Sequence, residues 1–135
     1  MVSTQTRQEI EQTLGQVPSW MNQLAEPASD HSWGIFRDLT LGETDLTPRE
    51  KALVGVGVAA AIGCPYCTHF HKEEARLAEV SDDQLEETVT LSGTTRYFST
   101  VLHGNEIDLD EFVDETSEIV DSLKEQEAAA AGADD

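Results

Sequence analysis

The fold is decided by one stretch, Leu46-Thr47-Pro48-Arg49-Glu50-Lys51-Ala52-Leu53-Val54-Gly55-Val56-Gly57-Val58-Ala59-Ala60-Ala61-Ile62-Gly63-Cys64-Pro65-Tyr66-Cys67-Thr68-His69-Phe70-His71. Thr47 is a capping residue, Pro48 takes the first helical position, and Glu50 stands three after the cap, which is the pattern of a capping box. The helix so opened continues to Ile62 and has no charge after Lys51. That composition predicts a helix buried nearly all round. Gly55 and Gly57 each weaken it by about 1 kcal/mol relative to Ala, but in a buried helix they allow a neighbour to approach closely. Gly63 can supply the left-handed turn that ends it. A second helix starts at once, with Cys64 at the cap and Pro65 at the first position, where a missing N–H costs nothing.

A thiol is a useful nucleophile only as thiolate. A helix N-terminus offers unpaired N–H groups and the positive end of a dipole, and both stabilise negative charge. Cys64 and Cys67 lie on the cap and first turn, where residues three apart can face each other, so a disulfide is geometrically reasonable. Such a pair can cycle between dithiol and disulfide. His71, four after Cys67, shares its helix face and can accept a thiol proton near neutral pH. His69 is two after Cys67 and projects to another side. Glu74, three after His71, can orient that ring, although a solvated surface carboxylate is the plainer expectation. A competing reading has Cys64, Cys67 and His71 bind zinc with His69 or His103 as a fourth ligand, but one C-x-x-C and one His leave zinc short of ligands. His103 near a helix end is expected to act as a C-terminal cap. No metal and no cofactor are expected at the site.

The rest of the chain reads as helix as well, with no convincing strand. Ser3 to Leu14 is a polar, modestly amphipathic first helix. Pro18 opens a short one through Leu24, ended by Pro27. Ser29 or Asp30 caps a segment with an apolar stripe of Trp33, Ile35, Phe36 and Leu39, and residues 42–46 form a loop. Trp20 and Trp33 are expected in the core. Ser81-Asp82-Asp83-Gln84 is a second capping box, opening a helix through Leu102 that Gly93, Thr94 and Thr95 can bend. His103-Gly104-Asn105 is a turn. The last helix runs from Asp108 to about Lys124, with Phe112, Ile119, Val120 and Leu123 facing inward. Residues 1–125 are expected to form one helical domain, and 126–135 an acidic, alanine-rich tail that frays.

The chain has 135 residues, enough to bury a core without metal or disulfide staples. Lys and Arg number 8 against 27 Asp and Glu, a net charge of −19. Such a field repels nucleic acid and anionic membrane, so neither is expected as a partner. The acid is spread along the whole chain, which points to a halophilic source, where salt screens it. The N-terminus has no basic start followed by an apolar run, and Leu53 to Gly63 is shorter than the ~20 residues a membrane span needs. The chain is expected to be cytoplasmic. There, two cysteines three apart suggest redox chemistry or metal binding, not a staple.

Leu46–Lys51, the small apolar helix after it and Gly63-Cys64-Pro65-Tyr66-Cys67-Thr68-His69-Phe70-His71 resemble the alkylhydroperoxidase D-like, or carboxymuconolactone decarboxylase-like, family. The resemblance is firm over roughly residues 46–80 and looser through 103. It implies an all-α, AhpD-like helical bundle that assembles into homo-oligomers, trimers or hexamers. It also implies that Cys67 attacks peroxide or exchanges disulfide, that Cys64 resolves it, and that His71 relays protons. Redox members are antioxidant peroxidases that reduce hydroperoxides or a partner peroxiredoxin with electrons from a lipoyl-type dithiol. The chain departs from the pattern at two places. Ala52 stands where the family has a proton-relay Glu, with Glu50 two residues away and accounted for by its capping box. Tyr66 stands where some members carry His.

Two other readings compete. Cys-Pro-Tyr-Cys is also the tetrapeptide of glutaredoxins, but that fold resembles βαβ units with a cis-proline after the active-site helix, and no proline follows Pro65 here. The other is a non-enzymatic redox-sensing or zinc-binding oligomer.

Overall fold

The computed structural model describes residues 2–133. Its elements are α1 (Thr4–Leu14), a 3-10 turn (Ser19–Gln23), α2 (Glu26–Ile35) prolonged by a π-helical turn (Phe36–Leu41), α3 (Pro48–Ile62), α4 (Pro65–Leu77), α5 (Asp82–Gly104) and α6 (Leu109–Ala133). Among the described residues there is no strand, so the architecture is all-α as expected. No helix among them is long and apolar enough to cross a membrane.

Short polar side chains set the helix starts by meeting amide groups that have no partner inside the helix. Ser3 Oγ accepts from the Thr6 amide at 3.2 Å. At α3, Thr47 Oγ1 accepts from the Glu50 amide at 3.2 Å while Glu50 Oε2 accepts from the Thr47 amide at 2.7 Å, which closes the capping box. Ser81 and Gln84 repeat the exchange ahead of α5, at 3.1 and 3.3 Å. Asp108 Oδ1 accepts from the Glu111 amide at 2.9 Å to start α6.

The boundaries differ from the sequence expectation in three places. Pro27 does not end a helix; it lies in the first turn of α2, whose cap is Ala25, because a first-turn proline gives up no helical bond. Neither Ser29 nor Asp30 caps α2. Ser29 is buried with its hydroxyl donating to the Glu26 carbonyl at 3.1 Å, and Asp30 accepts from the Ser3 amide at 3.0 Å, tying α1 to α2. That amide holds the Asp30 carboxyl below its ordinary range. α5 runs on to Gly104, so His103 and Gly104, expected in a turn after Leu102, belong to its last turn. α6 runs on to Ala133, past the end expected near Lys124, since a run of alanines has the highest helix propensity. The last two residues of the expected tail lie outside the described residues.

Contacts divide the chain into two compact units, one ending at Ser92 and one beginning at Gly93. The first holds two apolar clusters. Val2, Ile10, Met21 and Trp33 join α1 and α2, with Val17 and Phe36 against them. Ala52, Val56, Ala75, Val80 and Leu85 join α3, α4 and the start of α5. The small Ala52 and Ala75 side chains let α3 and α4 pack closely.

Burial of α3 is one-sided, not all-round. Ala52, Val56 and Ala59 are at most 1% exposed, while Val54, Val58 and Ile62 on the opposite face are all more than half exposed. Phe112, Ile119, Val120 and Leu123 of α6, expected inward, are also exposed, and so is Trp20, whereas Trp33 is buried. An apolar sequence marks both faces of a helix alike, and the unit that holds α3 buries only one.

The Thr47 amide also holds the Glu50 carboxyl below its ordinary value of 4.5. A depressed carboxyl contributes stability above the unfolded value and loses it as pH falls through the folded one. Glu50→Gln keeps the capping acceptor but does not titrate. Wild type should therefore melt above Glu50→Gln at neutral pH, with the gap closing below about pH 4.5 in thermal unfolding followed by circular dichroism. A gap independent of pH would contradict this.

Candidate active site

The site is built on the turn between α3 and α4. Gly63 takes the left-handed conformation, φ 70°, that ends α3, a position disfavoured for residues with a Cβ. The next amide, of Cys64, donates to the Ala59 carbonyl at 3.1 Å. This sharp reversal leaves Cys64 extended at the N-cap of α4 with Pro65 in the first turn. Cys64 and Cys67 are joined as a disulfide, their Cα atoms 5.3 Å apart. The Cys67 amide donates to Cys64 Sγ at 3.2 Å, so the cap group of this helix is a sulfur. An N–H donor and the positive end of the helix dipole therefore both act on Cys64 Sγ. Both cysteines are partly exposed, which gives a reactant access.

His71 lies one turn further along α4 and its ring rests on α3. A Cβ built at Gly55 would stand 2.3 Å from Nδ1 and 2.5 Å from Cγ, so the ring occupies the space a side chain would take. The edge of the ring pair Phe70–His71 is T-shaped at 5.2 Å, and Phe70 in turn meets Phe36 at 5.6 Å. Nδ1 is 2.7 Å from Glu74 Oε2, with the two side chains 25% and 21% exposed. Glu74 is thus held against the imidazole and is not the solvated surface carboxylate expected. In this disulfide form the ring's hydrogen bond is to Glu74 and not to a sulfur.

The remaining candidates fall elsewhere. Glu50 is exposed and engaged in its capping box. Ala52 is buried in the α3–α4 cluster. Tyr66 is 85% exposed beside the disulfide, and His69 is exposed on another side of α4. His103, in the last turn of α5, lines an apolar cleft of about 600 Å³ in the second unit with Phe98, Leu102 and Phe112. Among the described residues no three His, Cys, Asp or Glu side chains are grouped so as to hold a metal ion. Gly55 is the site residue whose role the sequence did not disclose; a glycine in a small-residue helix signals close approach without naming what approaches.

The candidate site is thus a helical hairpin whose second helix is capped by a C-x-x-C disulfide, on an all-α scaffold. The profile of the carboxymuconolactone decarboxylase family matches residues 24–107, and the chain belongs to that family. Its fold is similar to the crystal structure of the alkylhydroperoxidase AhpD core from Rhodospirillum rubrum, with 25% identity over 81% of this chain and 83% of that one and a TM-score of 0.68. No curated protein matches the chain.

Gly55→Ala should raise helix propensity by about 1 kcal/mol but force the imidazole out of its seat, an overpacking cost of about 1–3 kcal/mol. The expected net result is a lower Tm with shifted His71 ring resonances. A raised Tm with unchanged resonances would show that the ring does not depend on Gly55.

Proposed function

We propose that this protein is a thiol–disulfide oxidoreductase of the alkylhydroperoxidase D-like type, reducing a hydroperoxide or a partner disulfide with electrons from an external dithiol. The observation that carries the reading is the Cys64–Cys67 disulfide at the N-terminus of α4. Family membership supports redox chemistry of this kind.

In the reduced protein Cys67, its proton passed to His71, attacks the distal oxygen of a hydroperoxide. An S–O bond forms, the O–O bond breaks, and the alcohol leaves with the proton from His71. Cys64 then attacks the sulfur of the Cys67 sulfenic acid, S–OH. The S–S bond forms, and the sulfenic oxygen leaves as water with the remaining thiol proton. Two electrons have moved from the dithiol to the peroxide. An external dithiol reverses the change by attacking Cys67 Sγ. Cys64 leaves as thiolate, the charge that the Cys67 amide and the helix dipole stabilise. A second exchange releases the oxidised donor and restores both thiols. A partner disulfide enters by the same thiol exchange.

The donor class is a lipoyl-type dithiol, and a peroxiredoxin is a candidate partner. A homo-oligomer is supported by the uncovered Val54, Val58 and Ile62 face of α3 and by the apolar face of α6, because large exposed apolar patches mark association surfaces. A cytoplasmic location fits an active, non-structural cysteine pair, and adaptation to high salt fits the net charge of −19.

At high salt, with dithiothreitol as donor and hydrogen peroxide as oxidant, Cys67→Ser should abolish turnover. Cys64→Ser should accumulate a mixed disulfide or sulfenate visible by mass spectrometry. His71→Ala should slow the reaction about a hundredfold, the contribution of a lost general base. Full activity in Cys67→Ser would refute the assignment. Reversible oxidation without turnover in the wild type would favour a redox sensor.

A further inference from the structure

Glu74 has no place in the reaction as written above, yet the structure holds it against the imidazole. We propose that Glu74 is a positioning residue that fixes His71 as its Nδ1–H tautomer and so reserves Nε2 as the basic atom of the site. The inference rests on the reading above, in which His71 takes the Cys67 proton.

A neutral imidazole carries one donor and one acceptor nitrogen, and an ionised carboxylate only accepts. The 2.7 Å contact between Nδ1 and Glu74 Oε2 therefore places the ring proton on Nδ1. Both side chains are at least three-quarters buried, so water competes poorly for the bond. The ring has little freedom to turn. It fills the space above Gly55 on one side and meets the Phe70 ring on another. His71 and Glu74 stand three apart in the interior of α4, where the helix itself sets their spacing. The adjacent Glu73 is different: it is about half exposed and pairs with Arg76. Among the described residues the Glu74 side chain pairs with His71, and no Lys or Arg lies within ion-pair distance to hold it instead.

The consequence is a defined proton path. The Cys67 thiol proton goes to Nε2, and the imidazolium so formed keeps its Nδ1–H on Glu74. Nε2 then gives that proton to the departing alkoxide, which returns the ring to the tautomer it started from. Without Glu74 the neutral ring can carry its proton on either nitrogen, and molecules with Nε2–H cannot accept from the thiol.

The test uses the full chain, with ¹⁵N-labelled histidine for NMR of the His71 ring and steady-state turnover of hydrogen peroxide with dithiothreitol. Wild type should show the Nδ1–H tautomer. Glu74→Ala should give a mixture of tautomers and a kcat lower by about tenfold to a hundredfold, the usual effect of losing a group that orients a functional histidine, with the KM for peroxide unchanged. Glu74→Gln, whose side-chain oxygen still accepts, should restore the Nδ1–H tautomer and most of the kcat. An Nε2–H tautomer in wild type would overturn the proposal, as would a Glu74→Ala protein with wild-type tautomer and kcat. A wild type that shows no turnover, but whose Nδ1–H tautomer is lost in Glu74→Ala, would uphold the positioning role and refute the catalytic reading above.

Discussion

The reversal at Gly63-Cys64-Pro65 is the constraint on which the site depends. One helix must end and the next begin within three residues, and each residue meets one requirement. Gly63 supplies the positive φ, Cys64 the extended cap, and Pro65 a first-turn position that needs no N–H. The cap of a helix is usually an oxygen that receives an amide proton. Here a sulfur receives it, so the group that starts α4 is also half of the Cys64–Cys67 disulfide. In the proposed reaction, reduction and oxidation of the pair would therefore act directly on the end of a helix.

Packing of α3 against α4 turns that helix end into a site. Ala52, Val56 and Ala75 bring the two helices together without bulky side chains between them, and Gly55 leaves a gap that the His71 ring fills. A larger residue at Gly55 would push the imidazole away from α3 and from Glu74. The glycine thus weakens α3 as an isolated helix while fixing a side chain of its neighbour. An unbroken row of aromatic contacts, Trp33 to Phe36 at 6.0 Å and onward through Phe70 to His71, ties the helix of the site to the N-terminal cluster.

Much of this was legible because the signals were local. The capping boxes at Thr47 and Ser81, the left-handed Gly63, and the Cys64 cap with Pro65 behind it depend on neighbours within four residues, and all lie where the sequence places them. Readings that needed tertiary knowledge fared worse. Pro27 was ambiguous because a proline suits the first turn of a helix as well as the end of the preceding one. Ser29 and Asp30 have capping chemistry, but one is buried inside α2 and the other serves the Ser3 amide. The burial of Glu74 is not legible in the sequence, because three-residue spacing gives proximity to His71 without giving burial. The apolar residues of α6 and of the second face of α3 look like core in the sequence because hydrophobicity does not say which apolar face is covered.

In the proposed function Cys64 and Cys67 form a reversible dithiol–disulfide couple within one chain. The most direct measurement is to reduce the protein fully, add one equivalent of hydrogen peroxide, block remaining thiols with an alkylating agent and weigh the intact chain. The expected product is a chain that has lost both alkylatable thiols to an internal disulfide and regains both when dithiothreitol is added. Two thiols that stay alkylatable after peroxide, or cysteines oxidised only to acids that dithiothreitol does not reverse, would contradict it.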